Sequence, residues 1–98
     1  MYVVMNRIDS DAPDRFEKGF GRSMRATLDG VPGLVRSALL RPESEGAPYV
    51  SVMEFVDEQA FKDWMGSESF RRAHAGIREQ EPTTSSIETY STVLEMTP

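Results

Sequence analysis

The sequence has no cysteine and one histidine in 98 residues. The first absence excludes disulfides, zinc ribbons, iron–sulfur clusters and thiolate nucleophiles. The second excludes any metal centre built from several histidines. No apolar run approaches the roughly 20 residues that a membrane span requires. The first residues read as a strand and not as a charged-then-apolar signal segment, so the expected location is the cytoplasm, with no membrane partner. Basic residues are in the minority, 11 Lys and Arg against 16 Asp and Glu, for a net charge of −5. A phosphate backbone would be repelled, and no nucleic-acid partner is expected. The length fits a single domain over residues 1–98, able to form one core and small enough to gain from a partner.

The stretch Asp57 to Ala75, DEQAFKDWMGSESFRRAHA, holds both the tryptophan, Trp64, and the histidine, His74. Asp57 is a good N-cap, and Phe61, Trp64 and Met65 follow at the spacing of one helix face. Gly66-Ser67 breaks that helix and offers a new cap. Phe70, Ala73, His74 and Ile77 then repeat the spacing, which predicts two short helices with an indole and an imidazole lining one pocket.

Upstream, Tyr2 to Ile8 is β-rich. Period two puts Tyr2, Val4, Asn6 and Ile8 on one face and Val3, Met5 and Arg7 on the other. Asn6 is an amide in a strand that reads as covered on both faces. The residues alone read it as a structural amide bonded to neighbouring backbone. Asp11 is the expected N-cap of a helix whose inward stripe is Phe16, Phe20, Met24 and Leu28, and Gly30 ends it. Leu34 to Arg41 and Tyr49 to Val56 form a hairpin across the polar loop PESEGAP. Glu79 to Ser86 reads as a loop, and Ile87 to Met96 as the last strand.

The order β-α-β-β-α-β predicts an α+β, ferredoxin-like fold, an antiparallel four-stranded sheet with helices on one face. The opposite face keeps Val3 and Met5, either Val50 and Val52 or Met53 and Phe55, and either Val93 or Tyr90 and Leu94. An apolar face of that kind needs cover. The expectation is a homodimer, with two sheets packed into a dimeric α+β barrel.

The sequence offers no serine elbow, no phosphate loop and no second histidine for an acid–base relay. Asn6, Trp64 and His74 remain. A neutral imidazole can hold haem iron alone, an amide can hydrogen-bond dioxygen, and an indole can press on a macrocycle. Each also has a plain structural role open to it, Trp64 as core filler and His74 as a half-buried histidine. Arg71 and Arg72 read as a solvated edge or as partners for an anionic group.

Four segments, VVMNRI, VPGLVRSALLRP, EQAFKDWMGSESF and RRAHAG, resemble the antibiotic biosynthesis monooxygenase (ABM) superfamily, and within it the IsdG-type haem-degrading monooxygenases. The likeness spans nearly the whole chain, and the histidine followed by Ala-Gly is its most discriminating part. It implies a monooxygenase that opens haem oxidatively and releases iron, with haem as substrate and cofactor and electrons from an external reductase. It assigns His74 to the iron, Asn6 to the oxygen species and Trp64 to distortion of the porphyrin. Phe20 falls where the family often has a pocket aromatic, and Phe70 is expected beside it at the haem. Leu34, Ser37 and Phe55 depart from the aromatics common at their positions. Two alternatives accompany this reading: a cofactor-independent ABM oxygenase acting on a quinol or polyketide phenol, and a non-catalytic haem-binding dimer.

Overall fold

A computed structural model describes residues 1–68, 70, 71 and 84–98. Four strands and two helices follow in the order β1 (Tyr2–Asp9), α1 (Pro13–Thr27), β2 (Leu34–Leu40), β3 (Tyr49–Phe55), α2 (Glu58–Met65) and β4 (Thr84–Ser91). The strands form one antiparallel sheet in the order β2-β3-β1-β4, the ferredoxin-like α+β arrangement.

The two central strands alternate as their sequences dictate. Tyr2, Val4, Asn6 and Ile8 of β1 share a face with Phe55, Met53, Ser51 and Tyr49 of β3, each residue standing directly opposite its partner. The apolar members form two clusters. Val4, Met53, Phe55, Phe61 and Trp64 make the larger one, with Phe55 fully buried. Ile8, Phe16 and Tyr49 make the smaller one. Asn6 and Ser51 form the row between them.

Helix α1 starts differently from expectation. Its N-cap is Ala12, with no side-chain cap bond, and Asp11 lies outside. Pro13 decides the start: its ring presets helical φ, lacks the N–H a cap would satisfy, and holds the preceding residue extended. Ser10 instead accepts the Ala12 N–H at 3.2 Å. Helix α2 is capped as predicted, the Asp57 carboxylate accepting the Ala60 N–H at 2.9 Å. Ser67 provides the predicted new cap, accepting from Phe70 N–H at 3.2 Å while its hydroxyl donates to the Trp64 carbonyl at 2.5 Å. Gly33, at φ +78°, lets the α1–β2 turn lie against α2, because a Cβ there would meet that of Ala60 at 2.5 Å.

The last strand also departs from expectation. It runs over Thr84–Ser91, pairing Asp9↔Thr84 through Tyr2↔Ser91, and ends opposite Tyr2, where β1 begins. Thr92 adds one bond, its N–H to the Met1 carbonyl at 2.9 Å. Val93, Leu94 and Met96, placed in the strand by their hydrophobicity, lie beyond it and are 86%, 90% and 85% exposed. Strand length follows the partner available, and an edge strand tolerates the polar Thr84 to Ser86 that sequence alone assigns to a loop.

The face away from the helices carries Ala38, Val52 and Met5 in one row and Leu40 and Val50 in the next. Val50 and Val52, not Met53 and Phe55, are therefore the outward pair of β3, and Tyr90 of β4 faces outward beside Val3. Arg36–Glu54 and Arg7–Glu88 ion pairs border this patch.

At one end of the sheet Glu17 ties α1 to the β2–β3 hairpin. Arg41 donates to both of its carboxylate oxygens, at 2.7 and 2.5 Å, and the Tyr49 hydroxyl donates at 2.6 Å. The Arg41 hydrogen bonds, then that of Tyr49, hold the Glu17 carboxyl at about 2, against an ordinary 4.5. Burial, then the Glu17 bond, pushes the Tyr49 phenol up. A carboxyl depressed in the folded state stabilises it fully above the unfolded value and loses that contribution as pH falls towards the folded one. Urea midpoints should therefore decline between about pH 5 and pH 2, and Glu17→Gln should flatten part of that decline. Equal slopes for the two proteins would show that Glu17 gains nothing from these partners.

Candidate functional site

Between the two apolar clusters lies a cavity. Its volume is about 90 Å³, and it is partly open to solvent. The sheet provides the floor with Val4, Asn6, Ser37, Ser51, Met53 and Ile87. Helix α1 gives one wall, with Phe20, Ser23, Met24, Thr27 and Leu28, and the α2 region gives the other, with Phe61, Trp64, Met65 and Phe70. Phe20, Met24 and Leu28 are less buried than Phe16, because this stretch of the α1 stripe faces the cavity.

Every described lining side chain is uncharged. Among the described residues, two side-chain polar atoms are sealed from solvent without a hydrogen-bond partner, Asn6 Oδ1 and Trp64 Nε1. Asn6 is thus not the satisfied structural amide that the strand by itself suggested. Buried polar groups are nearly always paired, and an orphan costs roughly 1–3 kcal/mol. Two such atoms on one cavity, one acceptor and one donor, leave unused hydrogen-bonding capacity in an otherwise apolar wall. The low-dielectric walls strengthen any hydrogen bond made there.

The indole is held stiffly. Phe55 and Phe61 pack at ring-centroid distances of 6.0 and 6.4 Å, and Phe70 meets it edge-on at 4.9 Å and 89°. Trp64 is therefore both core filler and cavity wall. Its core role follows from the α2 spacing, its wall role from the gap that Asn6 and Ser51 leave beside it.

Of the residues singled out by sequence, Asn6, Trp64, Phe20 and Phe70 come together at this cavity. His74 lies outside the described residues, as do Arg72, Ala73 and Ile77. Among the departures, Ser37 lines the cavity, while Leu34 and Phe55 belong to the larger cluster. Sequence reasoning missed Ser51, which is 8% exposed and stands directly opposite Asn6. Its signal was present: in YVSVMEF the alternation puts a serine among Tyr49, Met53 and Phe55, a polar residue on the core face.

The arrangement can enclose a flat apolar molecule, exclude water and offer it a few neutral hydrogen bonds. None of the described lining side chains is a general acid or base of ordinary strength or an activated nucleophile. Among the described residues no group of three or more His, Cys, Asp or Glu could hold a metal ion, and no helix is long and apolar enough to cross a membrane.

Trp64→Phe removes a buried N–H that has no partner but leaves a smaller ring. These effects oppose, and the variant should unfold within about 1 kcal/mol of wild type in urea. Trp64→Ala should lose about 3–5 kcal/mol. A loss above about 2 kcal/mol for Trp64→Phe would mean that the N–H has a partner.

The sequence profile of the antibiotic biosynthesis monooxygenase family matches residues 1–76. None of the curated proteins matches the chain by sequence. Among solved structures, the haem degrader MhuD of Mycobacterium tuberculosis, with two haems bound in its active site, is 28% identical, with 99% of this chain and 100% of that one covered and a TM-score of 0.81. SnoaB of Streptomyces nogalater, a cofactor-independent oxygenase, is 26% identical, with 97% and 95% covered and a TM-score of 0.80.

Proposed function

The chain belongs to the antibiotic biosynthesis monooxygenase family, and from that premise we propose that it is a haem-degrading monooxygenase of IsdG type. The observation that carries this reading is the uncharged cavity in which Asn6 Oδ1 and Trp64 Nε1 are both buried without partners. A site with no acid, base or nucleophile on its described walls can bind and orient, so the redox chemistry has to come with the ligand.

Haem, once bound, supplies both the redox centre and the ring to be opened, with electrons from an external reductase. The residues fit such a molecule in kind: apolar walls for its faces and isolated hydrogen-bonding groups where oxygen chemistry occurs. They fit in size only if the open side of the cavity widens, since its 90 Å³ is below the roughly 300–1,000 Å³ of ordinary ligand pockets. Phe20 and Phe70 pack on the macrocycle, and their bulk excludes water. Asn6 offers an amide N–H to the reacting oxygen. Trp64, packed against three phenylalanines, would form a stiff wall against the face of the ring. His74 would hold the iron, a role that a lone histidine suffices to fill.

The small cavity favours a second reading, cofactor-independent oxygenation of a phenol or quinol, which the likeness to SnoaB also supports. That reading needs Asn6 and Trp64 but no axial ligand. A dimer that binds haem without degrading it is a third. In each of these readings we place the outward sheet face, with Ala38, Val52 and Met5, against a second copy of the chain.

Hemin titration into the protein should develop a Soret band, and a reductant with catalase present should make that band decay. His74→Ala should lose most haem affinity. Asn6→Ala should bind haem as wild type does but degrade it about a hundredfold more slowly, the effect of losing one well-placed donor. No haem binding at all would favour the cofactor-independent reading, and stable binding without decay the carrier. Iron takes a neutral imidazole, so affinity should weaken below about pH 6.5 as His74 protonates. An affinity flat down to about pH 5 would point to another ligand.

Light scattering at micromolar concentration should report a dimer, and Val52→Lys should give a monomer. A folded wild-type monomer would remove the barrel and leave the cavity argument untouched.

A further inference from the structure

Asn6 can act as a hydrogen-bond donor towards a ligand only if its amide is turned the right way. A carboxamide has one donor end and one acceptor end, and rotation by half a turn exchanges them. Something has to fix that choice. The Oδ1 atom is sealed from solvent without a partner, so a donor from the chain is the missing element.

The neighbours of Asn6 narrow the source. Along its own strand face stand Val4 and Ile8, which have no polar side-chain atom. Directly opposite it on the flanking strands stand Ser51 and Ile87, and of these Ser51 alone carries a donor. The Tyr49 hydroxyl, one row away, is committed to Glu17 at 2.6 Å. The Trp64 N–H also borders the cavity, but its ring is packed against Phe55, Phe61 and Phe70 and its N–H makes no hydrogen bond to the amide. Opposite residues in an antiparallel pair have Cβ atoms about 4.5–5.5 Å apart, within reach of a serine hydroxyl and an asparagine oxygen after a rotamer change of the smaller side chain. Ser51 is buried, and its hydroxyl hydrogen rotates at little cost.

We infer that Ser51 is a positioning residue: its hydroxyl donates to Asn6 Oδ1 and so turns Asn6 Nδ2–H into the cavity, towards the ligand. The consequence for catalysis rests on the oxygenase reading above; the hydrogen bond itself does not. The placement also accounts for a serine amid the apolar face of β3. A valine at 51 would fill the core better and leave the amide free to flip.

Nuclear magnetic resonance of the ligand-free protein tests the bond directly. The Asn6 side-chain NH₂ pair, identified by its loss in Asn6→Ala, should be well dispersed in wild type and in Ser51→Thr. In Ser51→Val, which has the shape of threonine without the hydroxyl, the pair should move towards the position of a free amide. Trp64→Phe should leave that hydrogen-bond signature in place. In turnover, Ser51→Val should keep haem affinity and slow haem decay about five- to tenfold, as for the loss of one neutral hydrogen bond, while Ser51→Thr restores the rate. An Asn6 pair that is the same in Ser51→Thr and Ser51→Val overturns the proposal, as does one that loses its signature in Trp64→Phe but not in Ser51→Val. A wild type that never degrades haem, with the Ser51 effect on the amide intact, removes the haem reading and leaves the positioning role standing.

Discussion

The structure turns on one interruption. In the middle of the two central strands, where a small α+β protein would place its best apolar pair, Asn6 stands opposite Ser51. Val4 and Met53 on one side, and Ile8 and Tyr49 on the other, belong to separate clusters as a result. A polar pair cannot close the core, because burying an amide without partners costs more than the contact with its neighbours returns. The core therefore opens there, and the opening is the cavity. Fold and site are one feature seen from two sides.

What surrounds the interruption compensates for it. The larger cluster is dense in aromatic rings, with Phe55, Phe61 and Trp64 in mutual contact and Phe70 edge-on against Trp64. It stabilises one end of the molecule and stiffens the wall of the cavity. The other end is fixed by the charged bond of Glu17 to Arg41 and its hydrogen bond from Tyr49, where little apolar area is available. A cavity between two anchored ends keeps its shape, and shape is what a site with uncharged walls has to offer. Uncharged walls of this kind can position a flat molecule and exclude water.

The haem degrader MhuD and the cofactor-independent oxygenase SnoaB both share this fold. The same wall of neutral groups can serve either chemistry, so fold alone does not choose between them. Of the readings proposed above, only those that bind haem call for a histidine ligand to iron.

Much of this was legible in the chain. Period-two alternation in YVVMNRI and YVSVMEF determined which residues face the helices, and the four-residue spacing of Phe16, Phe20, Met24 and Leu28 determined the α1 stripe. Asp57 and Ser67 marked their caps correctly, because a cap is a local bond between residues three apart. Local signals failed where a longer-range partner decides. Asp11 yielded to Pro13, and Val93, Leu94 and Met96 read as strand but lie past the start of β1, the partner that a strand needs. The sequence by itself determined the order of elements, the faces they bury and the presence of a polar residue, Asn6, among apolar ones. Only the tertiary structure decided that Asn6 meets Ser51, that their row divides the core, and that Trp64 borders the gap. Register across strands distant in sequence is set by the packing of whole faces, and no local pattern carries it.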